Sequence, residues 1–245
     1  KKHDPEETML LRTYTNGAPM IRGVMSPSYG RFNDTHLIPF LNKVFDDMRI
    51  CHVHMSDLST SIQAVSERTI DMGGAEAGSN EWYYGRRLFN SEVGYSPVGM
   101  DARLFCTLCS NGMTATFKNT NSSYRRKHSG RRGQNEELGK IGPEIRFAAL
   151  LMDENKEYIV DTIQKTHNIP VESPKKVASE FLKGLGFGKN VQTAVKDAWD
   201  NEQGKTAYHV MQAITRCPRM VPGLTYEEQL RIEEAGGKYV EKVVR

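Results

Sequence analysis

Apart from one helical stripe at 37–48, the hydrophobic pattern changes period once, near residue 133, and that change restricts the fold more than any other feature. Before it, apolar residues alternate over short runs broken by turn signals; after it, they recur at helical spacing. Short connections between alternating runs build antiparallel sheet, because parallel strands need long crossovers. The expected fold class is therefore α+β: an antiparallel β-meander sheet with a packed helix, followed by a helical C-terminal half. The expected domains are a β-rich domain over 1–133 with one helix, and a helical layer or subdomain over 134–245. A chain of 245 residues with 38% hydrophobic content can fill one core of modest size.

Strands are expected over Thr8–Tyr14 and Pro19–Met25, joined at Asn16-Gly17, a strong hairpin signal. Asp34 or Thr35 can cap a helix to about Met48, with Pro39 tolerable only near its first turn. Leu37, Phe40, Leu41, Val44, Phe45 and Met48 form its apolar stripe. Further strands are expected over Ile50–Leu58, Ile62–Met72, Trp82–Phe89, Ala102–Cys109 and Met113–Phe117, with a flexible loop at 73–79. Beyond 133, a helix is expected from Glu136 to about His167, with an early break at Gly139, Gly142 and Pro143. Ser173-Pro174 opens another helix to about Leu185. Asn190–Asn201 and Lys205–Arg216 follow, and Thr225 can cap a last helix starting at Tyr226.

Net charge is only +3, so bulk composition does not signal a nucleic-acid binder; the signal lies in clustering. The run from Ser122 to Gly133 holds Arg125, Arg126, Lys127, Arg131 and Arg132, with Tyr124 and His128 between, and no acid from Lys118 to Gln134. Guanidinium forks suit phosphates, small residues let the backbone approach, and a ring can stack on a base. Ser, Gly and like charges bury little apolar area, so the segment is expected to be mobile without a partner. A second patch places Arg86 and Arg87 after Trp82, Tyr83 and Tyr84. The structural alternatives are a solvated loop for the first patch and, for the second, aromatics alternating into the core while Arg86 faces water.

Other constellations carry less. Cys106-Thr107-Leu108-Cys109 has C-x-x-C spacing, and Cys51, His52 and His54 could complete a zinc site, but strand residues three apart point to opposite faces. No metal and no cofactor are expected. Gly184-Leu185-Gly186-Phe187-Gly188-Lys189 lacks the full phosphate-loop pattern and reads as a hinge. Asp46, Asp47, Asp57, Glu67, Asp71, Glu92 and Asp101 are scattered. Glu92 is the most interesting of them, with a surface acid as the plain reading. Four cysteines are too few for a disulfide scaffold, and no apolar run reaches the ~18 residues needed to span a bilayer. The charged N-terminus has no apolar stretch behind it and does not read as a secretion signal. The expected setting is cytoplasmic.

Five segments, in order, carry a resemblance. They are Met20-Ile21-Arg22-Gly23-Val24-Met25-Ser26-Pro27-Ser28-Tyr29, Asn90-Ser91-Glu92-Val93-Gly94, Arg103 through Gly112, Arg126-Lys127-His128-Ser129-Gly130, and Thr206 through Thr215. Together they resemble the phage/plasmid-like domain family of unknown function carried by prophages, plasmids and lytic phages. The chain departs from that pattern where Lys127 separates Arg126 from His128 and where Gln212 replaces the usual Asn. The family's setting among replication and recombination genes implies DNA metabolism in a bacterial host cell. A meander with a packed helix and basic loop is also similar to single-strand annealing proteins.

The resulting expectation is a non-enzymatic protein that binds single-stranded DNA (or RNA) and promotes annealing within a homo-oligomer, with no membrane partner. Arg86, Arg87, Tyr124, Arg125, Arg126, Lys127, His128, Arg131 and Arg132 would form the binding surface. A phage structural or host-interaction protein and a metal-dependent nuclease are the alternatives.

Overall fold

The computed structural model describes residues 8–13, 19–25, 29–30, 32–73, 81–106, 112–117, 120–128, 134–202 and 204–245, without the side chains of 8–13, 19 and 134–139. The fold is a mixed α+β architecture. Strands β1 (Thr8–Thr13) and β2 (Pro19–Met25) form an antiparallel hairpin, registered from Thr8 opposite Met25 to Thr13 opposite Pro19, with an irregularity between Leu10 and Leu11. A second sheet takes β3 (Met48–Met55), β4 (Thr60–Asp71), β5 (Glu81–Asn90), β6 (Val98–Cys106) and β7 (Gly112–Thr114) in chain order, as a meander requires. One more strand, β8 (Ser123–Arg126), also pairs with β6. The helices are α1 (Ile38–Val44), α2 (Gln134–Glu154), α3 (Lys156–Lys165), α4 (Pro174–Gly184), α5 (Lys189–Glu202), α6 (Ala207–Arg216) and α7 (Tyr226–Val244). Among the described residues, no helix is long and apolar enough to cross a membrane.

The chain folds as two compact units, and each draws on both the strand-rich and the helical half. The first comprises 1–64, 87–100 and 123–150; the second comprises 65–86, 101–122 and 151–245.

In the first unit, a single turn of 3-10 helix at Asp34–His36 precedes α1, and Pro39 falls in the first turn, where its missing N–H costs nothing. The helix ends at Val44, earlier than the apolar stripe implies. Phe45 leaves helical geometry, its N–H still bonded to the Leu41 carbonyl, and Met48 joins β3. Leu37, Val44 and Phe45 are buried, so half of the stripe still serves the core. The turn between β3 and β4 is held by Ser56, whose Oγ accepts from Leu58 N at 3.2 Å and Ser59 N at 3.1 Å. Helix α2 runs through Pro143 without the expected break. The interruption falls instead at Asn155, between α2 and α3.

In the second unit, α6 is buried along almost its whole length and is the central helix. A column on one face of β5 explains part of its sequence. Trp82, Tyr84 and Arg86 lie two apart, so they share a face. Trp82 Nε1 donates to the Tyr208 hydroxyl at 3.0 Å, Tyr84 donates to the Met152 carbonyl at 2.8 Å, and Arg86 pairs with Asp153. Helix α7 opens with a capping box: Thr225 Oγ1 accepts from Glu228 N, and Thr225 N donates to Glu228 Oε2. Its interior Gly236-Gly237 pair has a packing cause. A Cβ at 237 would sit 2.2 Å from the Thr114 carbonyl oxygen, and one at 236 would sit 2.5 Å from Thr215 Cγ2. Only glycine lets α7 lie this close to β7 and α6.

Candidate functional site

The basic segment starts from a buried serine. Ser122 Oγ accepts from Phe117 N at 3.1 Å and lies 2.5 Å from Thr120 Oγ1, while its carbonyl accepts from Ala102 N at 2.8 Å. The chain then continues as β8 beside β6, in place of the mobile loop expected for its first part. Gly99 permits this approach, since a Cβ there would meet the Tyr124 carbonyl and the Phe89 ring, both at 2.5 Å. Strand alternation now sorts the segment into two sides. Ser123, Arg125 and Lys127 are exposed, whereas Tyr124, Arg126 and His128 are half-buried.

Glu144 on α2 collects the inward pair. Tyr124 donates to Glu144 Oε2 at 2.5 Å and Arg126 Nη1 donates to Glu144 Oε1 at 2.6 Å. Burial and the bond to Glu144 push the Tyr124 phenol up, and the bond to Glu144 holds the Arg126 guanidinium charged. Burial raises the Glu144 carboxyl, but the bonds from Tyr124 and Arg126 outweigh it and leave the group below its ordinary value. His128 is also committed to the fold. Its Nδ1 lies 3.2 Å from the Gly30 carbonyl, its own carbonyl accepts from Gly30 N at 3.1 Å, and its ring stacks on Tyr29 at 5.2 Å. Burial lowers its pKa, so it is neutral at neutral pH and adds no positive charge.

Arg125 lies on the outward side, its guanidinium 4.5 Å from the Phe89 ring centroid, with Nη1 donating to the Met100 and Tyr124 carbonyls. Lys127 follows on the same side. Arg131 and Arg132 lie outside the described residues.

The second patch is not a surface. Arg86 and Arg87 are both buried. Arg86, expected to face water if the aromatics formed core, instead points inward with them and pairs with Asp153. Arg87 lies on the opposite face, 4.6 Å from the Phe89 ring centroid.

The structure also joins residues that sequence reasoning left apart. Arg22 on β2 pairs with Glu92, whose Oε1 accepts from Asp34 N at 2.9 Å. Asp34 in turn accepts from Thr60 Oγ1 at 2.5 Å and Asn90 Nδ2 at 2.7 Å. Tyr29 donates to the Ser91 carbonyl at 3.1 Å. Glu92 is thus a half-buried partner for an arginine, not a bare surface acid, and three of the five quoted segments meet in the first unit. The other two meet in the second, where α6 packs beside β7. There Arg103, fully buried, bonds Glu233 Oε2 at 2.5 Å and Thr114 Oγ1 at 2.5 Å. Gly112 makes room for this pair, because a Cβ would sit 2.6 Å from Arg103 Nη2. Gln212 donates to the Tyr208 hydroxyl at 3.0 Å.

Cys106 is buried in β6, and Cys109 lies outside the described residues. Among the described residues, no three His, Cys, Asp or Glu side chains are grouped to hold a metal ion. No protein-family model, curated protein or solved structure matches the chain.

Proposed function

We propose that the chain binds nucleic acid, single-stranded DNA foremost, through the outward side of β8. The observation that supports this reading is the sorting of one basic cluster by strand alternation. Tyr124, Arg126 and His128 anchor the strand, and Arg125 and Lys127 stand on its exposed side. Arg131 and Arg132 follow five residues or fewer beyond Lys127 and extend the positive charge along the chain. Each cation placed on a phosphate releases condensed counterions, which gives affinity without sequence preference. Annealing of complementary strands within a homo-oligomer, in phage or plasmid DNA metabolism inside a bacterial host, fits a binder of this type. No covalent step is involved.

The test is a fluorescence-anisotropy titration of an oligothymidylate at several salt concentrations, with a duplex of equal length in parallel. Binding whose log affinity falls with log salt at a slope of about −0.7 per contacted phosphate supports the proposal. Absence of binding at low salt would remove it.

A further inference from the structure

The first unit carries an apolar groove of about 380 Å³ that the basic strand does not use. Its walls come from two helices. Phe40 and Val44 lie one turn apart on α1, and Pro143, Phe147 and Leu150 follow i, i+4, i+7 spacing on α2. The core-facing side of α2 is already supplied by Ile141, Ile145 and Ala148, all buried. Phe147 and Leu150 are a second stripe, 62% and 55% exposed. A helix gains nothing from such a stripe unless something covers it. Gly142 sets the floor: a Cβ there would lie 2.0 Å from the Phe40 ring.

The rim decides what fits. Lys43 and Arg146 line the groove, and among the described residues no acid does. Both are exposed, and among the described residues neither forms an ion pair. A sugar–phosphate chain would meet the two cations but leave the wall formed by Val44, Pro143 and Leu150 wet. A second copy in a two-fold pairing would bring Lys43 and Arg146 near their own counterparts. An amphipathic helix with apolar anchors one turn apart and acids flanking them satisfies both walls and rim. We propose that this groove between α1 and α2 docks an acidic amphipathic helix of a partner protein.

The probe is a labelled helical peptide of about five turns, with Leu and Phe at i, i+4 and i+7 and Glu flanking them. A control carries the same apolar positions with Lys in place of Glu. Saturable binding of the acidic peptide to the full chain is expected, and the Lys peptide should bind at least about tenfold more weakly. Phe147→Ser should weaken the acidic peptide about tenfold or more, as loss of an aromatic anchor does. Arg146→Glu should weaken it about fivefold and reduce its salt dependence. Both positions are exposed, so the fold is expected to hold, with circular dichroism as the check. The proposal is overturned if the acidic peptide does not saturate, if both peptides bind alike, or if Phe147→Ser leaves affinity unchanged. It is equally overturned if light scattering shows a dimer that Phe147→Ser dissociates, or if an oligonucleotide displaces the peptide competitively.

Discussion

Arg103 and Arg125 are both strand arginines near an aromatic ring, yet their surroundings assign them opposite work. Arg103 is fully buried and completed by Glu233 and Thr114, with its guanidinium 5.2 Å from the Phe105 centroid. Arg125 is exposed, and its Nη1 donates to the Met100 and Tyr124 backbone carbonyls. A buried guanidinium without its carboxylate is costly, whereas an exposed one keeps its hydration. The lesson is that a basic residue reports on partners only when no carboxylate of the same chain has already claimed it. By that criterion Arg22, Arg86, Arg103 and Arg126 belong to the fold, whereas Arg125 and Lys127 are placed on the candidate surface by their exposure.

The largest expected effect lies at the buried end of the comparison. Arg103→Ala leaves Glu233 without its partner and opens a hole, and should cost about 3–5 kcal/mol in urea denaturation. Replacing Arg103 with Met and Glu233 with Leu together should recover much of that loss. Failure to recover would mean that the pair is worth more than its removal of buried charge. Arg86→Ala should cost less, about 1–3 kcal/mol, because Asp153 remains half-exposed and can be rehydrated. An equal loss at both sites would break the argument from burial.

The pH dependence sharpens the contrast between neutral and charged basic groups. Burial lowers the pKa of His128, His167 and His209 below the ordinary 6.5. Each native imidazole therefore holds its proton less tightly than the unfolded one. Their contribution is fully present above about pH 6.5 and is lost as pH falls through the native values. The urea midpoint should drop between about pH 7.5 and about pH 5.5, and His128→Gln should reduce that drop. A midpoint that rises on acidification would contradict the assignment of His128 as a buried neutral pin. The smallest stability effect is expected at Lys127→Ala, within about 0.5 kcal/mol of the parent chain, since an exposed lysine supports little.

Much of the fold was legible because it rests on local signals. The strands of the meander follow from alternation, the first turn of α1 from Pro39, and the start of α7 from Thr225 and Glu228 three residues on. The end of α1 was not legible, because Met48 continues the helical stripe and only pairing within the sheet draws it into β3. Strand β8 was hidden for a different reason: Ser-Tyr-Arg-Arg lacks an apolar alternation, and its pairing depends on Gly99, some 25 residues earlier. The candidate site was legible as a cluster but not as two sides. Nothing near Arg86 in the sequence announces Asp153, 67 residues away, and nothing near Glu92 announces Arg22, 70 residues away. Charge pairing at that separation is set by the fold and leaves no periodic trace.

The central claim is that alternation divides one basic cluster into anchors and phosphate contacts. The most direct measurement is the salt dependence of single-stranded DNA binding for three proteins: the parent chain, Arg125→Ala with Lys127→Ala, and Arg126→Ala. The account predicts that the double variant flattens the log–log salt slope by about 1.4 while keeping its urea midpoint nearly unchanged. Arg126→Ala should keep the parent slope and lose stability through Glu144. A double variant with the parent slope and affinity, or an Arg126→Ala protein that flattens the slope at unchanged stability, would contradict it.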